Sequence, residues 1–433
     1  MPKIISKKSN VDLDYPVVRP SLDLDFTQEE LDPRITFSRG SIGTRVNRNR
    51  LIETVAANQP RFDYDPVTGE CKGLLIEESR QNLTTYSQGS GMNDPNWSSN
   101  SGAVIVQTNS ITAPDGTLTA NKIIAGTTAV LHLFSSNTFS VTSGTTYTFS
   151  CFFKPAESSW VYFRTGGTPF GSNGYIFNIS NGTLGVAINT LDSVPIIAKY
   201  PDGWYRISIT KTSSASGNGL LQIIVPRGNS TTVYTGDGTS GIYVWGAQVE
   251  TGAFPTSYIP TSGSTVTRSA EIAEMTGTNF SSWYNQTEGT FSFDGTLPFI
   301  TNDTLNRVPY GVSNGYNFSN SIYVSKTATS LGLSFSIINN NVSQSTGTSL
   351  PNMTSSRFKI ASSVADKNIY SCGYGGSVNK HSRPSAAIPT VNRLTLGKEP
   401  WNLSTLNPMI GCIARFTYYP RALNPNQLQL LTQ

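Results

Sequence analysis

The stretch GIYVWGAQVE at 241–250 alternates Ile242, Val244 and Gly246 with Tyr243, Trp245 and Ala247. A two-residue period with apolar positions on both sides predicts a strand packed on both faces. Directly after it, Pro255 and Pro260 remove backbone donors, and Ser and Thr dominate as far as Thr267. No central strand tolerates such a tract. One β domain is expected to end here and another to begin, with the tract as a semi-stiff spacer.

The same pattern divides the whole chain into three segments. In 1–85, SLDLDF places Leu22, Leu24 and Phe26 on one face and Asp23 and Asp25 on the other. RITFSRG, TRVNRNRLIETV and PRFDYDPVTGECKGLLIEE follow as short strands and hairpins, with a turn at Asp65-Pro66-Val67-Thr68-Gly69. In 86–262, TTYTFSCFFKP, SWVYFRTG, GYIFNIS, GWYRISITKT and GLLQIIVP are bounded by turn dipeptides such as Ser143-Gly144, Asn181-Gly182 and Asp202-Gly203. Many strands at near-regular spacing predict an antiparallel jelly-roll sandwich. In 269–433, GTFSFDG, SIYVSKT, LGLSFSII, RFKIASSV and GCIARFTYYP repeat that grammar. Asn424 and Pro425 are suited to the N-cap and first position of a closing helix whose Leu428 and Leu431 face the sandwich. The expected fold is all-β: a short-strand N-terminal module, two antiparallel jelly-roll sandwiches and a short C-terminal helix.

Composition sharpens this picture. Charged residues make up 13% of the 433 positions, against roughly 25% in an average globular protein. They are also unevenly placed: residues 1–85 hold 12 of the 31 Lys/Arg and 13 of the 27 Asp/Glu. A charge-rich segment of short strands suits a polar interface with another protein, or a solvated, salt-bridged sheet. The net charge of +4 without a basic block argues against a nucleic-acid partner. MPKIISKKSN is polar after Ile5 and no apolar run approaches ~18–20 residues, so a soluble chain made in a cytoplasm is expected.

Candidate chemistry is sparse. Cys71, Cys151, Cys372 and Cys412 are scattered and read as small buried hydrophobes, and His132 and His381 lie far from any zinc-like cluster. Only 14 carboxylates fall in 86–433, and Asp115, Asp202, Asp237 and Asp294 stand in Asp-Gly turns. No obvious pair for glycoside hydrolysis remains, although Asp303, Asp366 and Glu399 stay open. There is no G-x-S-x-G elbow and no P-loop. Asp63 and Asp65 around Tyr64 offer a D-x-D for calcium or, as the simpler alternative, a polar strand face entering a turn. The expectation is a protein that is not an enzyme.

LDPRITFSRG, TRVNRN, LIETVAANQPRFDYDPVTGECKGLLIEE, DGWYRISIT, GIYVWGAQVETGAFPTSYIPT and VTRSAE resemble tailed-bacteriophage virion fibre and host-attachment proteins with lectin-like domains. The resemblance is strongest at 31–83 and 203–270. It implies a virion-attachment module at 1–85, a carbohydrate-binding-module-like jelly roll at 86–262 and a concanavalin- or laminin-G-like sandwich at 269–433. Asn49-Arg50 departs from the Asn-Gly of the group, and Arg accepts a positive φ less readily. The implied location is the virion, and the implied partners are other phage virion proteins and host-surface polysaccharide. Membrane insertion is not expected, and a homotrimer is expected by analogy alone. Calcium is compatible with lectin-like domains, but no EF-hand-type loop is written.

Sugar rings stack on aromatic side chains, and Trp97 and Trp401 lie in loop-like contexts with Asn and Ser nearby, so they are the candidate carbohydrate-binding residues. His381 and Arg383 in NKHSRPS add hydrogen-bonding candidates, with a solvated loop as the alternative. Trp160, Trp204 and Trp245 fall within alternating strands and are expected in the core. Three readings stay open at this point: a non-enzymatic phage adhesin, a capsid-fibre or decoration protein without glycan binding, and a depolymerase.

Overall fold

Leu22 and Leu24 alternate with Asp23 and Asp25 as expected, but the strand they form pairs with residues at the far end of the chain: Leu22 lies opposite Tyr418 and Leu24 opposite Phe416. The computed structural model describes residues 18–93, 95–99, 103–297, 306–326, 332–344, 348–352, 357–365, 368–373, 376–382, 388–400 and 409–433. Among them the regular structure is nearly all antiparallel β, with a capped helix at Pro425–Leu431.

The first and last segments together build one sandwich. Its first sheet runs, strand by strand, through Asn379–Ser382, Asn368–Gly373, Arg357–Val364, Gly289–Thr296, Gly411–Tyr419, Cys71–Ile76 and Phe62–Tyr64, with Leu22–Asp25 also on Gly411–Tyr419. The facing sheet begins with Thr36–Ser38 beside Ile272–Thr276, followed by Arg393–Leu396, Arg307–Ser313, Ser321–Lys326 and Gly332–Asn339. The core between them joins Leu22, Leu24, Phe26, Leu74 and Ile76 to Phe291, Phe293, Tyr310, Phe335, Phe416 and Tyr418. Residues 18–85 are therefore not a separate module. Strands of three to six residues cannot bury a core alone, and Leu22–Asp25, Thr36–Ser38, Phe62–Tyr64 and Cys71–Ile76 complete two sheets whose other strands lie beyond residue 271.

The middle segment forms the second sandwich, inserted into the first. Ile196–Lys199, Tyr205–Thr212, Thr146–Pro155, Gly241–Thr251, Ala120–Ala125 and Val104–Ile111 make one sheet. Thr183–Ile188, Gly174–Asn178, Trp160–Gly166, Gly217–Ile224, Leu133–Ser136 and Trp97–Ser99 make the other. Gly241–Thr251 is central and buried, as its composition predicts, but its two-residue period breaks at Gly246. There φ is +67°, the register against Thr146–Pro155 shifts between Ser150 and Phe152, and a Cβ would lie 2.8 Å from the Phe152 ring. This bulge flips the parity. Ile242 and Val244 before it, and Ala247 and Val249 after it, all enter the inter-sheet core. Trp245 faces the other way, onto Phe152, Trp204 and Tyr258.

The Pro/Ser/Thr tract is not a spacer between successive domains. It is one of two crossings between the sandwiches. The outgoing chain, Arg80–Asn82, pairs with the returning chain, Val266–Arg268. Asn82 is fully buried: its amide donates to Ala247 O and Ile259 O, and its Oδ1 accepts from Val249 N and Thr84 N.

Three of the N-terminal charges, Arg39, Arg61 and Glu77, are buried at this junction. Arg61 donates through Nε to Glu271 (2.8 Å) and through Nη2 to Glu77 (2.8 Å). Arg268 Nη1 also reaches Glu77 (2.5 Å), Arg39 Nη1 reaches Glu271 (3.2 Å), and Ser257 donates through N and Oγ to Glu77. Burial alone would raise the Glu77 carboxyl, but Arg268 and Arg61 outweigh it and hold it well below the ordinary carboxylate range. Burial likewise works against the charge on Arg61, and Glu271 and Glu77 reverse the balance. Burial, reinforced by neighbouring Arg61, lowers Arg39.

Candidate functional site

At one end of the middle sandwich, Glu157–Trp160, Pro226–Gly228 and Tyr234–Asp237 enclose an open cleft of about 520 Å³. Trp160 opens the strand Trp160–Gly166, in which Val161 and Phe163 enter the main core. Trp160 takes the opposite parity, with Tyr162 and Arg164, on the outer face. It packs on the small cluster of Tyr162, Ile176 and Ile224, and its ring lies against Gly185, where a Cβ would come within 2.9 Å. The residue is only half buried, and its indole N–H donates to nothing within the described residues.

Polar groups line the same cleft. Glu157 accepts from Lys122 Nζ at 2.8 Å and from Gly241 N at 3.2 Å, and the Lys122 hydrogen bond lowers its pKa. Asp237 accepts from Thr239 N, Ser240 N and the Ser240 hydroxyl, and its interactions with Ser240 hold it well below the usual range. Tyr234 donates to Val225 O at 3.1 Å and rests edge-on against His132, and burial pushes its hydroxyl up to about 12. The exposed Arg227 guanidinium makes no hydrogen bond within the described residues.

The cleft thus offers an apolar ring face, an indole donor, a cation and two carboxylates. Both carboxylates are held in the ionised form at neutral pH. The arrangement suits binding: an aromatic platform with a few convergent polar groups.

Two further clefts lie along the seam between the sandwiches. One, of about 330 Å³, is bordered by Arg45, Asp63, Lys72, Arg206 and Tyr258, and the other, of about 570 Å³, by Glu78, Arg80, Gly252, Phe254 and Arg307. Their charges are largely engaged in ion pairs. Lys72 binds Asp63 at 2.5 Å, and Glu78 meets both Arg307 (2.8 Å) and Arg80. Asp63 also accepts from Val46 N, and Asp65 accepts from Val67 N and Thr68 N in its turn. The D-x-D is a strand face entering a turn, and no group of three metal-ligating side chains occurs among the described residues.

The candidate tryptophans exchange places. Trp97 is 2% exposed, stacks on Phe134 at 4.8 Å and donates to Tyr86 O, so its ring has no free face for a ligand. It opens the short strand Trp97–Ser99 at a sheet edge and folds inward, which a loop-like composition does not disclose. Trp204 and Trp245 are core as expected, whereas Trp160, expected there too, lines the cleft. The sequence carried a signal for this, because Arg164 shares the parity of Trp160. His381 lies on the strand Asn379–Ser382 opposite Ile369, and its side chain falls outside the described residues, as do Arg383 and Trp401. Asp303 and Asp366 are likewise outside them, and Glu399 is 8% exposed. All four cysteines are free thiols.

The fold defines the class: an all-β chain of antiparallel sandwiches. No family model and no curated protein matches it. Among solved structures, it is similar to the CBM40 of Ruminococcus gnavus IT-sialidase, at 16% identity over 36% of this chain and 88% of that one, with a TM-score of 0.31. It is also similar to domains LG4-5 of the mouse laminin α1 chain, at 11% identity over 84% and 96%, TM-score 0.24. Trypanosoma rangeli sialidase aligns at 10% identity over 72% and 66%, TM-score 0.28. Similarity at this level carries no argument about activity.

Proposed function

We propose that this chain is a non-enzymatic carbohydrate-binding protein of a tailed-phage particle, which grips host-surface polysaccharide through the Trp160 cleft. The observation that carries the binding reading is the partly buried Trp160 on the outer face of a strand, lining one cleft with Arg227, Glu157 and Asp237, its indole N–H unengaged among the described residues. The phage setting is supported by the sequence resemblance at 31–83 and 203–270. The module expected to attach the chain to the virion is built into the outer sandwich, so attachment is assigned to that sandwich. Several copies on one particle would turn weak single-site binding into avidity.

The test uses the full chain, labelled and clustered on beads, added to host cells with and without excess purified surface polysaccharide. Binding that the polysaccharide competes away, and that Trp160→Ala abolishes, supports the reading. A folded, clustered protein that does not bind would make this a structural virion component without glycan binding. Shortening of the polysaccharide during incubation would make it a depolymerase.

A further inference from the structure

A second aromatic surface lies on the outer sandwich, remote in sequence from the Trp160 cleft. The turn between the strands Arg307–Ser313 and Ser321–Lys326 reads NGYNFSN, and the neighbouring turn after Gly332–Asn339 reads NNV. Together they expose Tyr316 (40%), Phe318 (42%) and Val342 (58%). Large apolar side chains exposed singly are ordinary, whereas several at one tip are the kind of surface that marks a binding site.

The tip is rigidly held. Ser313 Oγ donates to Gly315 O (2.7 Å), Gly315 N to Asn392 Oδ1 (2.8 Å) and Asn392 Nδ2 to Asn314 Oδ1 (3.0 Å). Asn341 N donates to Ser319 O and Asn340 N to Asn320 Oδ1, tying the two turns together. Beneath Tyr316, the Arg393 guanidinium carbon lies 3.8 Å from the ring centroid, covering one face. Glu274 lies 3.6 Å from Arg393 and accepts from the Tyr316 hydroxyl at 3.4 Å, so the supporting charge is balanced. The ring cannot fold away, and the amide nitrogens of the exposed Asn314 and Asn317 donate to nothing within the described residues.

We infer that Tyr316, with one face backed by Arg393 and the other exposed, forms a second, independent stacking platform for a neutral saccharide. Three features select that ligand. The two turns contain no ionisable side chain apart from the Tyr316 phenol, and the Arg393 guanidinium beneath the ring is paired with Glu274, so no unbalanced charge there selects an acidic sugar. A fixed flat ring beside free amide donors matches the apolar face and rim hydroxyls of a pyranose. Three apolar side chains supply little of the apolar centre that a stable protein interface is built around. The platform stands whether or not the Trp160 cleft binds sugar.

The test is affinity electrophoresis of the intact chain through gels containing dextran, galactomannan or β-glucan, with light scattering alongside. Wild type, Tyr316→Ala, Tyr316→Phe and Trp160→Ala are compared, the last reporting on the other cleft. The expected result is retardation by at least one of these polymers that weakens about tenfold in Tyr316→Ala, is kept in Tyr316→Phe and survives Trp160→Ala. Retardation by none of them, or equal retardation of Tyr316→Ala and wild type, overturns the inference. So does a change of oligomeric state in Tyr316→Ala, which would make the tip an interface between copies. Because Tyr316 is exposed, an unchanged melting temperature separates lost binding from lost folding.

Discussion

Arg61 and Glu271, 210 positions apart in the chain, meet with Nε to Oε1 at 2.8 Å and both side chains fully buried. Arg39 belongs to TFSRG, Arg61 to PRFDYD, Glu77 to LIEE, and Arg268 and Glu271 to TRSAE. The phrases that carry the phage resemblance are therefore the ones that assemble the junction between the sandwiches. They specify scaffold, and the candidate ligand surfaces lie elsewhere.

Removing one partner from this network leaves a buried guanidinium uncompensated. Glu271→Ala is expected to cost about 3–5 kcal/mol in urea unfolding at pH 7. A loss below about 1 kcal/mol would mean that the junction is hydrated in solution.

The same network sets an acid limit. The folded-state pKa of Glu77 lies below the ordinary glutamate value of 4.5, so its contribution is fully present above about pH 4.5 and is lost as pH falls towards the folded value. Unfolding free energies measured from pH 7 down to pH 3 should decline below that point. In Glu77→Gln the starting stability is lower and the decline shallower. An equally steep curve in the variant would assign the acid sensitivity to other carboxylates.

Trp97 and Trp160 should separate stability from binding. Truncating the buried Trp97 to Ala is expected to cost about 3–5 kcal/mol. Trp160→Ala, at a partly buried strand end, should cost less while abolishing binding to host polysaccharide. Thermal melts and the bead assay read the two effects on the same preparations.

Arg50 occupies a left-handed conformation, φ +64°, at the hairpin turn where its N–H bonds Asn47 O. Its guanidinium makes only a 3.4 Å contact with Val67 O. Arg50→Gly is expected to stabilise the chain by roughly 0.5–1 kcal/mol, since Gly avoids the steric cost of that region and gives back part of the gain in chain entropy. A shift of the urea midpoint to lower concentration would contradict this.

Burial raises the Cys151 and Cys412 thiols to about 12, and it raises Cys71 and Cys372 as well. A disulfide-exchange reagent at pH 8 should react slowly with the folded chain and quickly with all four thiols in guanidinium. Rapid reaction of Cys151 or Cys412 in the native state would show local opening of the sheets.

Strand existence was legible because it is local. The period in SLDLDF, the turn dipeptides, and the Asn424-Pro425 start of the last helix with its capping box are all read from neighbouring residues. Even the parity that turns Trp160 outward was written in Arg164, four residues on. Only the tertiary structure decided which strands are partners, because antiparallel pairing joins edges without regard to distance along the chain. Leu22 is a strand residue by its own alternation, but that Tyr418 lies opposite it follows from closing one sandwich around an inserted second. The same closure put Trp97 inside, buried Arg39, Arg61 and Glu77 at the junction, and let a single positive φ at Gly246 reverse the faces of a central strand.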